Sequence, residues 1–127
     1  MKIWTIIAAI AAIGIGTSAA SAQDKAKQGE AVFKRTCGAC HTVEIGKNRI
    51  GPSLAGVVGR KAGSAAGFKY SDPMAKSGVI WTEENLDKYI ADPKSFIPGN
   101  KMAFTGIKKE DERHAVIDYL ETVKAGG

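Results

Sequence analysis

The feature that most constrains the fold is a long glycine-rich segment, EIGKNRIGPSLAGVVGRKAGSAAGFKY, at residues 44–70. It holds six glycines and one proline in 27 residues, and it shows no sustained helical or strand period. A connection of this length without secondary structure is uncommon inside a compact domain. The segment therefore predicts a chain that folds around an object it does not itself encode.

Helical patterns flank this segment, and no part of the chain predicts a strand. We expect helix N-caps at Asp24, Asp72 and Thr82, and a last helix that begins near Glu110. The stretch KSFIPGNKMAFTGI before this last helix is predicted to be irregular. These patterns predict an all-α fold of three to five helices with long loops. Because the loops hold few large apolar residues, we expect a large apolar cofactor to complete the core.

The first 22 residues have the order of a secretory signal peptide. Lys2 is basic, residues 3–16 are uncharged and mostly apolar, and the small residues at 20–22 form an A-x-A site. Cleavage after Ala22 would leave a domain of residues 23–127 in the periplasm. The apolar run is short for a transmembrane helix, which needs roughly 20 residues. An uncleaved membrane anchor is the alternative interpretation.

The charge balance argues against a nucleic-acid partner. The chain has 18 basic and 13 acidic residues, for a net charge of +5, and no run of five or six basic residues. A modest basic excess fits steering toward an acidic partner or surface. The alternative is that this charge only keeps the protein soluble.

Two cysteines three apart precede a histidine in the stretch TCGACHTV. A disulfide between Cys37 and Cys40 would close a very short loop and contribute little stability. A thioredoxin-like thiol exchanger has this spacing beside a βαβ pattern, whereas no strand is predicted before Cys37. A zinc site needs about four ligands, and His114 lies far along the chain. The remaining reading is covalent haem attachment, for which C-x-x-C-H is the known pattern, with free cysteine chemistry as its main rival.

The chemistry of this motif fits one c-type haem per chain. Cysteines three apart project toward one side of a turn, where they can form thioether bonds with the two vinyl groups of a haem edge. His41 can then coordinate the iron through a neutral imidazole nitrogen. Met74, Met102 and His114 are the candidates for the opposite ligand. Met102, in an irregular turn, would form with His41 a pair that suits electron carriers, whereas an open position would indicate gas binding or oxygen chemistry.

With these motifs, the sequence resembles the class I c-type cytochromes, in particular soluble bacterial cytochromes c close to the mitochondrial type (the c-two group). The likeness rests on CGACHTVE, GPSLAGVVGRKAG, GFKYSD and WTEENLDKYIADPKSFIPGNKMAFTGIKK, and it runs from Gly29 to about Lys124. It implies the class I cytochrome c fold, wrapped around one haem c. It also implies a one-electron carrier between redox partners, not an enzyme.

The resemblance implies roles for individual residues. Cys37 and Cys40 would carry the thioethers, while His41 and Met102 would be the two iron ligands. The Pro52 carbonyl would accept a hydrogen bond from the His41 imidazole. The other implied haem neighbours are Arg60, Tyr70 and Trp81 near the propionates, Tyr89 beside the Met102 sulfur, and Phe104 near the exposed edge.

Two further implications concern packing and departures from the family pattern. Gly29 is expected to permit a close crossing of the first and last helices near Val116 and Tyr119. Asn100 stands where a threonine is usual, and Met74 replaces a frequent polar residue near the haem. We expect both departures to bear on the haem pocket.

The resemblance also places basic residues near the exposed haem edge. They are Arg49, Lys94, Lys101, Lys108 and Lys109. This basic ring would steer the protein toward acidic faces of redox partners such as membrane cytochrome complexes, oxidases or dehydrogenases. We expect a monomer without stable membrane insertion after cleavage. The rival functions are a haem sensor or peroxidase-like protein with a displaceable sixth ligand, and a thiol oxidoreductase.

Overall fold

A computed structural model describes the chain from residue 18 to residue 124. Its helices are α1 (Ser18–Thr36), α2 (Asp72–Ala75), α3 (Glu83–Ala91), α4 (Pro93–Phe96) and α5 (Glu110–Thr122). This part of the chain has no strand, only an isolated antiparallel bridge between Lys61 and Ile80. The predicted all-α fold is therefore confirmed. The apolar run at residues 3–16 lies outside the described residues, so cleavage after Ala22 stays a prediction.

Helix α1 begins earlier than the sequence pattern indicated. The predicted N-cap, Asp24, lies inside the helix with its side chain exposed, because α1 already begins at Ser18. The residues between them, AASAQ, contain neither proline nor glycine, and alanine has the highest helix propensity. Asp24 therefore does not cap the helix, which begins six residues before it.

The next two helices begin with side-chain caps. Ser71, not the predicted Asp72, caps α2, since its Oγ accepts a hydrogen bond from the backbone nitrogen of Met74 at 3.3 Å. Thr82 caps α3 as predicted, and its Oγ1 accepts from the backbone nitrogen of Asn85 at 3.1 Å. Both helices also have an acidic residue in the first turn, and its negative charge interacts favourably with the positive end of the helix dipole.

The stretch KSFIPGNKMAFTGI, predicted to be irregular, instead begins inside the short helix α4. Asp92 caps it by accepting a hydrogen bond from the backbone nitrogen of Ser95 at 3.3 Å, and Pro93 occupies its first turn. Proline at the first helical position, after an aspartate cap, is a recognised start signal. Pro93 thus ends α3 and begins a new four-residue helix.

The closest contact between two helices is the crossing of α1 and α5. A Cβ placed on Gly29 would lie 1.9 Å from the Ala115 carbonyl oxygen, so only glycine fits there. Beside this point the rings of Phe33 and Tyr119 pack with centroids 5.6 Å apart. Val116, which is 1% exposed, anchors the crossing in the hydrophobic core.

The glycine-rich segment at residues 44–70 has neither helix nor strand, as predicted. Scattered backbone hydrogen bonds hold it against distant parts of the chain. Gly56 donates to the carbonyl of Val123 at 2.8 Å, and Gly59 donates to that of Trp81 at 2.7 Å. The segment therefore runs from the end of α1 across the end of α5 to the start of α3. Within residues 18–124, no helix is both long and apolar enough to cross a membrane.

We expect Gly29→Ala to lower the free energy of unfolding by about 1–2 kcal/mol or more, measured by urea denaturation. Alanine would gain up to about 1 kcal/mol of helix propensity. However, its methyl group would force the two helices apart, and overpacking of this kind costs about 1–3 kcal/mol or more. The exposed neighbour Gln28 provides the control, because Gln28→Ala should stay within about 0.5 kcal/mol of wild type. Equal stability of Gly29→Ala and wild type would contradict the close crossing.

Candidate functional site

One cavity of about 240 Å³ gathers residues from all over the described chain. All ten residues expected from the sequence to contact a haem line it, namely Cys37, Cys40, His41, Pro52, Arg60, Tyr70, Trp81, Tyr89, Met102 and Phe104. Met74 and Asn100, the two departures from the family pattern, line it as well. His114 does not; it lies on α5, about half exposed, with its ring 3.8 Å from Asp87.

The walls of the cavity include apolar residues that the sequence did not single out as part of a site. Leu86 and Ile90 are four apart on α3, so their helical spacing could have indicated one buried face. Leu54 and Ile107 come from irregular segments, where no periodicity marks a buried side chain. Among these four residues, helical periodicity could therefore have indicated only Leu86 and Ile90.

The two cysteines and the histidine share one turn at the end of α1. The backbone nitrogen of Cys37 donates to the carbonyl of Phe33 at 2.8 Å, so this turn continues the helix. The nitrogens of Cys40 and His41 donate to the Cys37 carbonyl at 3.1 and 2.9 Å. This compact turn presents two thiols and one imidazole to the same cavity.

The imidazole of His41 is oriented by a single peptide group. Its Nδ1 donates to the Pro52 carbonyl oxygen at 2.7 Å, which leaves Nε2 as the nitrogen with a free lone pair. The N–H of the same peptide group belongs to Ser53 and donates to Asn48 Oδ1 at 2.9 Å. Asn48 in turn donates through Nδ2 to the Ala66 carbonyl at 2.9 Å. The orientation of His41 is thus tied to two parts of the glycine-rich segment.

Close packing fixes the position of the His41 ring, and burial fixes its protonation state. A Cβ on Gly51 would lie 2.3 Å from the ring, so the backbone approaches the imidazole more closely than any other residue type allows. Burial lowers the pKa of His41, although the hydrogen bond to Pro52 opposes this shift. The imidazole is therefore neutral near neutral pH and can act as a metal ligand.

The protonation state of Cys37 disfavours thiol exchange. Both cysteines are free thiols, and burial raises the pKa of Cys37 above its ordinary value. Reactive cysteines in thiol–disulfide exchangers have a lowered pKa, because the thiolate is the nucleophile. A protonated, half-buried Cys37 fits a covalent attachment point better than a redox-active thiol.

Of the two cavity methionines, only Met102 has its sulfur in a hydrogen bond within the described part. The Tyr89 hydroxyl donates to Met102 Sδ at 3.8 Å. Burial raises the pKa of Tyr89 to about 12, so the hydroxyl keeps its proton over the physiological range. Trp81 packs against the Tyr89 ring with centroids 4.8 Å apart. The sulfur of Met102 is thus held by a donor that is itself fixed by packing.

A half-buried cation lies at another part of the cavity wall. The Arg60 guanidinium donates to the carbonyls of Ala55 and Ser53, each at 3.1 Å. Its Nε is buried without a hydrogen-bond partner among the described residues. Nearby in sequence, the Tyr70 hydroxyl accepts a hydrogen bond from the backbone nitrogen of Ala65 at 3.0 Å. An unpaired guanidinium N–H of this kind calls for an anionic group.

Taken together, these groups fit a c-type haem. Two thiols, a neutral imidazole and a thioether are the groups that would attach such a haem and bind its iron. The unpaired Nε of Arg60 would be a donor for a haem carboxylate. The largely apolar walls suit the porphyrin ring.

The sequence and the fold have clear relatives. The sequence model for cytochrome c matches residues 26–124. The chain is 64% identical over 88 residues to cytochrome c2 iso-2 of Magnetospirillum molischianum, covering 69% of this chain and 91% of that protein. It is 46% identical over 102 residues to cytochrome c of Arabidopsis thaliana, covering 80% and 91%. The solved structure of cytochrome cH from Methylobacterium extorquens superposes with a TM-score of 0.73 at 46% identity, covering 76% of this chain and 97% of that one.

We expect the free energy of unfolding to fall between pH 10 and pH 12 because of Tyr89. Its ordinary pKa is 10.0, and burial raises it to about 12 in the folded protein. In this window the unfolded state has lost the phenolic proton while the folded state retains it, so rising pH favours unfolding. The loss attributable to Tyr89 is roughly 3 kcal/mol, since one pKa unit corresponds to about 1.4 kcal/mol.

Urea denaturation of wild type and Tyr89→Phe across this pH range measures the effect. The variant should lose less stability than wild type, because it has no phenol to ionise. Burial also raises the pKa of Tyr119, but by less, so Tyr119→Phe serves as the control and should lose stability more steeply than Tyr89→Phe. Parallel curves for wild type and Tyr89→Phe would show that Tyr89 is not buried as described.

Proposed function

Since this chain belongs to the cytochrome c family, we propose that it is a periplasmic one-electron carrier whose haem iron is bound by His41 and Met102. One covalently bound haem c is the cofactor of this family, and Cys37 and Cys40 are the two thiols available for its thioether bonds. The haem supplies the redox centre. The protein itself is not expected to transform a substrate.

The observation that carries this proposal is the pair of fixed ligand candidates in one apolar cavity. His41 is held through Pro52 at 2.7 Å, and Met102 is held through Tyr89 at 3.8 Å. Ligands that keep their positions in both oxidation states minimise reorganisation when an electron moves. A Met/His pair also raises the reduction potential, which suits a carrier.

The surroundings of the two ligands support the same role. Trp81 and Leu86 are 6% and 5% exposed, so the walls behind the ligands exclude water. A dry, apolar site favours the iron state with the lower charge and therefore the reduced form. The neutral imidazole of His41 and the thioether of Met102 add no charge of their own.

Two other functions have less support. A haem sensor or peroxidase-like protein needs a sixth ligand that leaves readily, whereas Tyr89 donates to the Met102 sulfur in this chain. A thiol oxidoreductase needs a reactive thiolate, whereas burial raises the pKa of Cys37. Both remain distinguishable by the experiment below.

Export to the periplasm rests on the signal-like residues 1–22 and on the bacterial relatives named cytochrome c2. Cleavage after Ala22 would give a mature chain beginning at Gln23. Mass spectrometry of the exported protein tests this step. An intact N-terminus on membrane-associated protein would instead support the uncleaved anchor.

The partner surface is proposed to be the mouth of the cavity. All five residues of the basic ring are exposed, namely Arg49, Lys94, Lys101, Lys108 and Lys109. Ile50, which is 77% exposed, and Phe104 add apolar surface where they line the cavity. A basic rim around an apolar contact suits an acidic face on redox partners such as membrane cytochrome complexes, oxidases or dehydrogenases.

We expect Met102→Ala to convert the reduced protein from one that binds carbon monoxide slowly or not at all into one that binds it readily. Removing the thioether opens the sixth coordination position of the iron. Absorption spectra of the reduced protein with and without carbon monoxide measure the change. Met74→Ala is the matched control, since Met74 lines the same cavity, and it should keep the wild-type spectrum. Ready binding by wild type would favour the sensor, and an effect of Met74→Ala alone would assign the ligand to Met74.

We expect the rate of oxidation by the anion ferricyanide to fall as ionic strength rises, because salt screens attraction to the basic ring. Lys94→Glu should slow this reaction several-fold at low salt and flatten its salt dependence. Lys27→Glu provides the same charge change on an exposed position of α1 outside the ring. Stopped-flow absorbance measures both. Equal effects of the two variants would mean that net charge alone, and not the ring, steers the reaction.

A further inference from the structure

We propose that Asn100 is a positioning residue that sets how readily Met102 leaves the iron. This inference rests on the proposed function, because it takes Met102 to be the sixth ligand. It concerns a position where this chain departs from the threonine expected from its resemblance to other class I cytochromes.

The side chain of Asn100 uses both of its hydrogen-bonding ends. Its Nδ2 donates to the carbonyls of Pro93 at 2.8 Å and Ile97 at 2.9 Å. Its Oδ1 accepts from the backbone nitrogen of Met102 at 2.9 Å. An amide has two donor hydrogens and one acceptor oxygen, so this arrangement engages every polar group of the side chain. Little capacity is left for a contact with a haem carboxylate.

The anchor to which Asn100 ties Met102 is rigid. Pro93 is among the most deeply buried residues of the described chain, and Ile97 is only 4% exposed. The backbone nitrogen of Asn100 also donates to the Ile97 carbonyl at 3.2 Å. Helix α4 and the turn after it therefore hold Asn100 on one side, and Asn100 holds the backbone of Met102 on the other.

The loop beyond Asn100 has few other backbone attachments, although the side chain of Lys101 donates a hydrogen bond to the Lys69 carbonyl. Met102 accepts a hydrogen bond from the Phe104 nitrogen at 2.9 Å, but that contact lies within the loop itself. The next backbone hydrogen bond from the loop to a helix, within residues 18–124, joins the Ile107 nitrogen to the Ile90 carbonyl at 2.7 Å. On the α4 side, the backbone next to the sulfur ligand is thus fixed mainly through the Asn100 amide.

A fixed backbone favours the bound sulfur over competing ligands. When the loop is held in place, Met102 loses little conformational entropy on binding the iron, so an external ligand displaces it less readily. Alanine would remove the three side-chain hydrogen bonds. Aspartate would keep an acceptor for Met102, but its carboxylate would face two carbonyl oxygens. Threonine offers a single hydroxyl donor, which cannot serve both carbonyls.

Imidazole titration of the oxidised holoprotein, followed by absorbance, tests this inference. We expect Asn100→Ala to tighten apparent imidazole binding about tenfold, which corresponds to about 1.4 kcal/mol. That is the scale of one or two net hydrogen bonds. Asn100→Asp should behave similarly, and Asn100→Thr should tighten binding by a smaller factor. If Asn100→Ala does not accumulate as holoprotein, Asn100→Thr provides the test, and it should also bind imidazole more tightly than wild type.

Asn85→Ala separates positioning from general stability. Asn85 also donates through Nδ2 to a backbone carbonyl, that of Ile80 at 2.8 Å, but it lies at the start of α3. This control should lower the free energy of unfolding while leaving imidazole affinity within about twofold of wild type. Unchanged affinity in the Asn100 variants, or an equal rise in Asn85→Ala, would overturn the inference.

Met102→Ala in the same titration separates this inference from the proposed function. If Met102→Ala binds imidazole no more tightly than wild type, Met102 is not the ligand and the proposed function fails. If Met102→Ala binds much more tightly while Asn100→Ala matches wild type, the ligand assignment stands and only the role of Asn100 is wrong.

Discussion

The packing of apolar side chains around one cavity is the constraint on which the rest of this structure depends. This cavity of about 240 Å³ is lined mostly by apolar side chains, and leaving them in contact with water instead of a packed group would cost several kcal/mol at about 25 cal/mol per Å². Small domains are stable by only about 5–15 kcal/mol. The group that fills the cavity is therefore part of the core of this fold. The long glycine-rich segment follows from the same constraint, since it must wrap that group without burying a large apolar surface of its own.

Each ligand candidate is held by a hydrogen bond to a group that is itself fixed by the surrounding chain. His41 is oriented by the Pro52 carbonyl, whose peptide group is fixed in turn by Asn48. Met102 is placed by the Asn100 amide, and Tyr89 donates to its sulfur. These arrangements position both ligands through the chain itself. Such preorganisation suits a centre that must change its charge with little movement of the atoms around it.

Some features of this architecture can be predicted from neighbouring residues in the sequence, whereas others depend on contacts between distant residues. The C-x-x-C-H motif and the Thr82 cap each express a local requirement, so they could be predicted directly, whereas the close crossing at Gly29 was predicted through the resemblance. The start signal of helix α4, Asp92 followed by Pro93, is also local, although the stretch KSFIPGNKMAFTGI after it predicts irregular structure. The role of Asn100 could not be read, because it depends on where the carbonyls of Pro93 and Ile97 lie. The residues implied by the resemblance come together in one cavity because distant segments of the chain pack around it.

The most direct test of the central claim is thermal unfolding of the polypeptide produced without haem, followed by near- and far-ultraviolet circular dichroism. If the cofactor is part of the core, this chain should show little fixed tertiary structure and no cooperative unfolding transition. The haem-loaded protein from the same sequence should unfold cooperatively. A cooperative transition of native-like stability in the haem-free chain would contradict the account, because it would mean that the side chains alone can close the cavity.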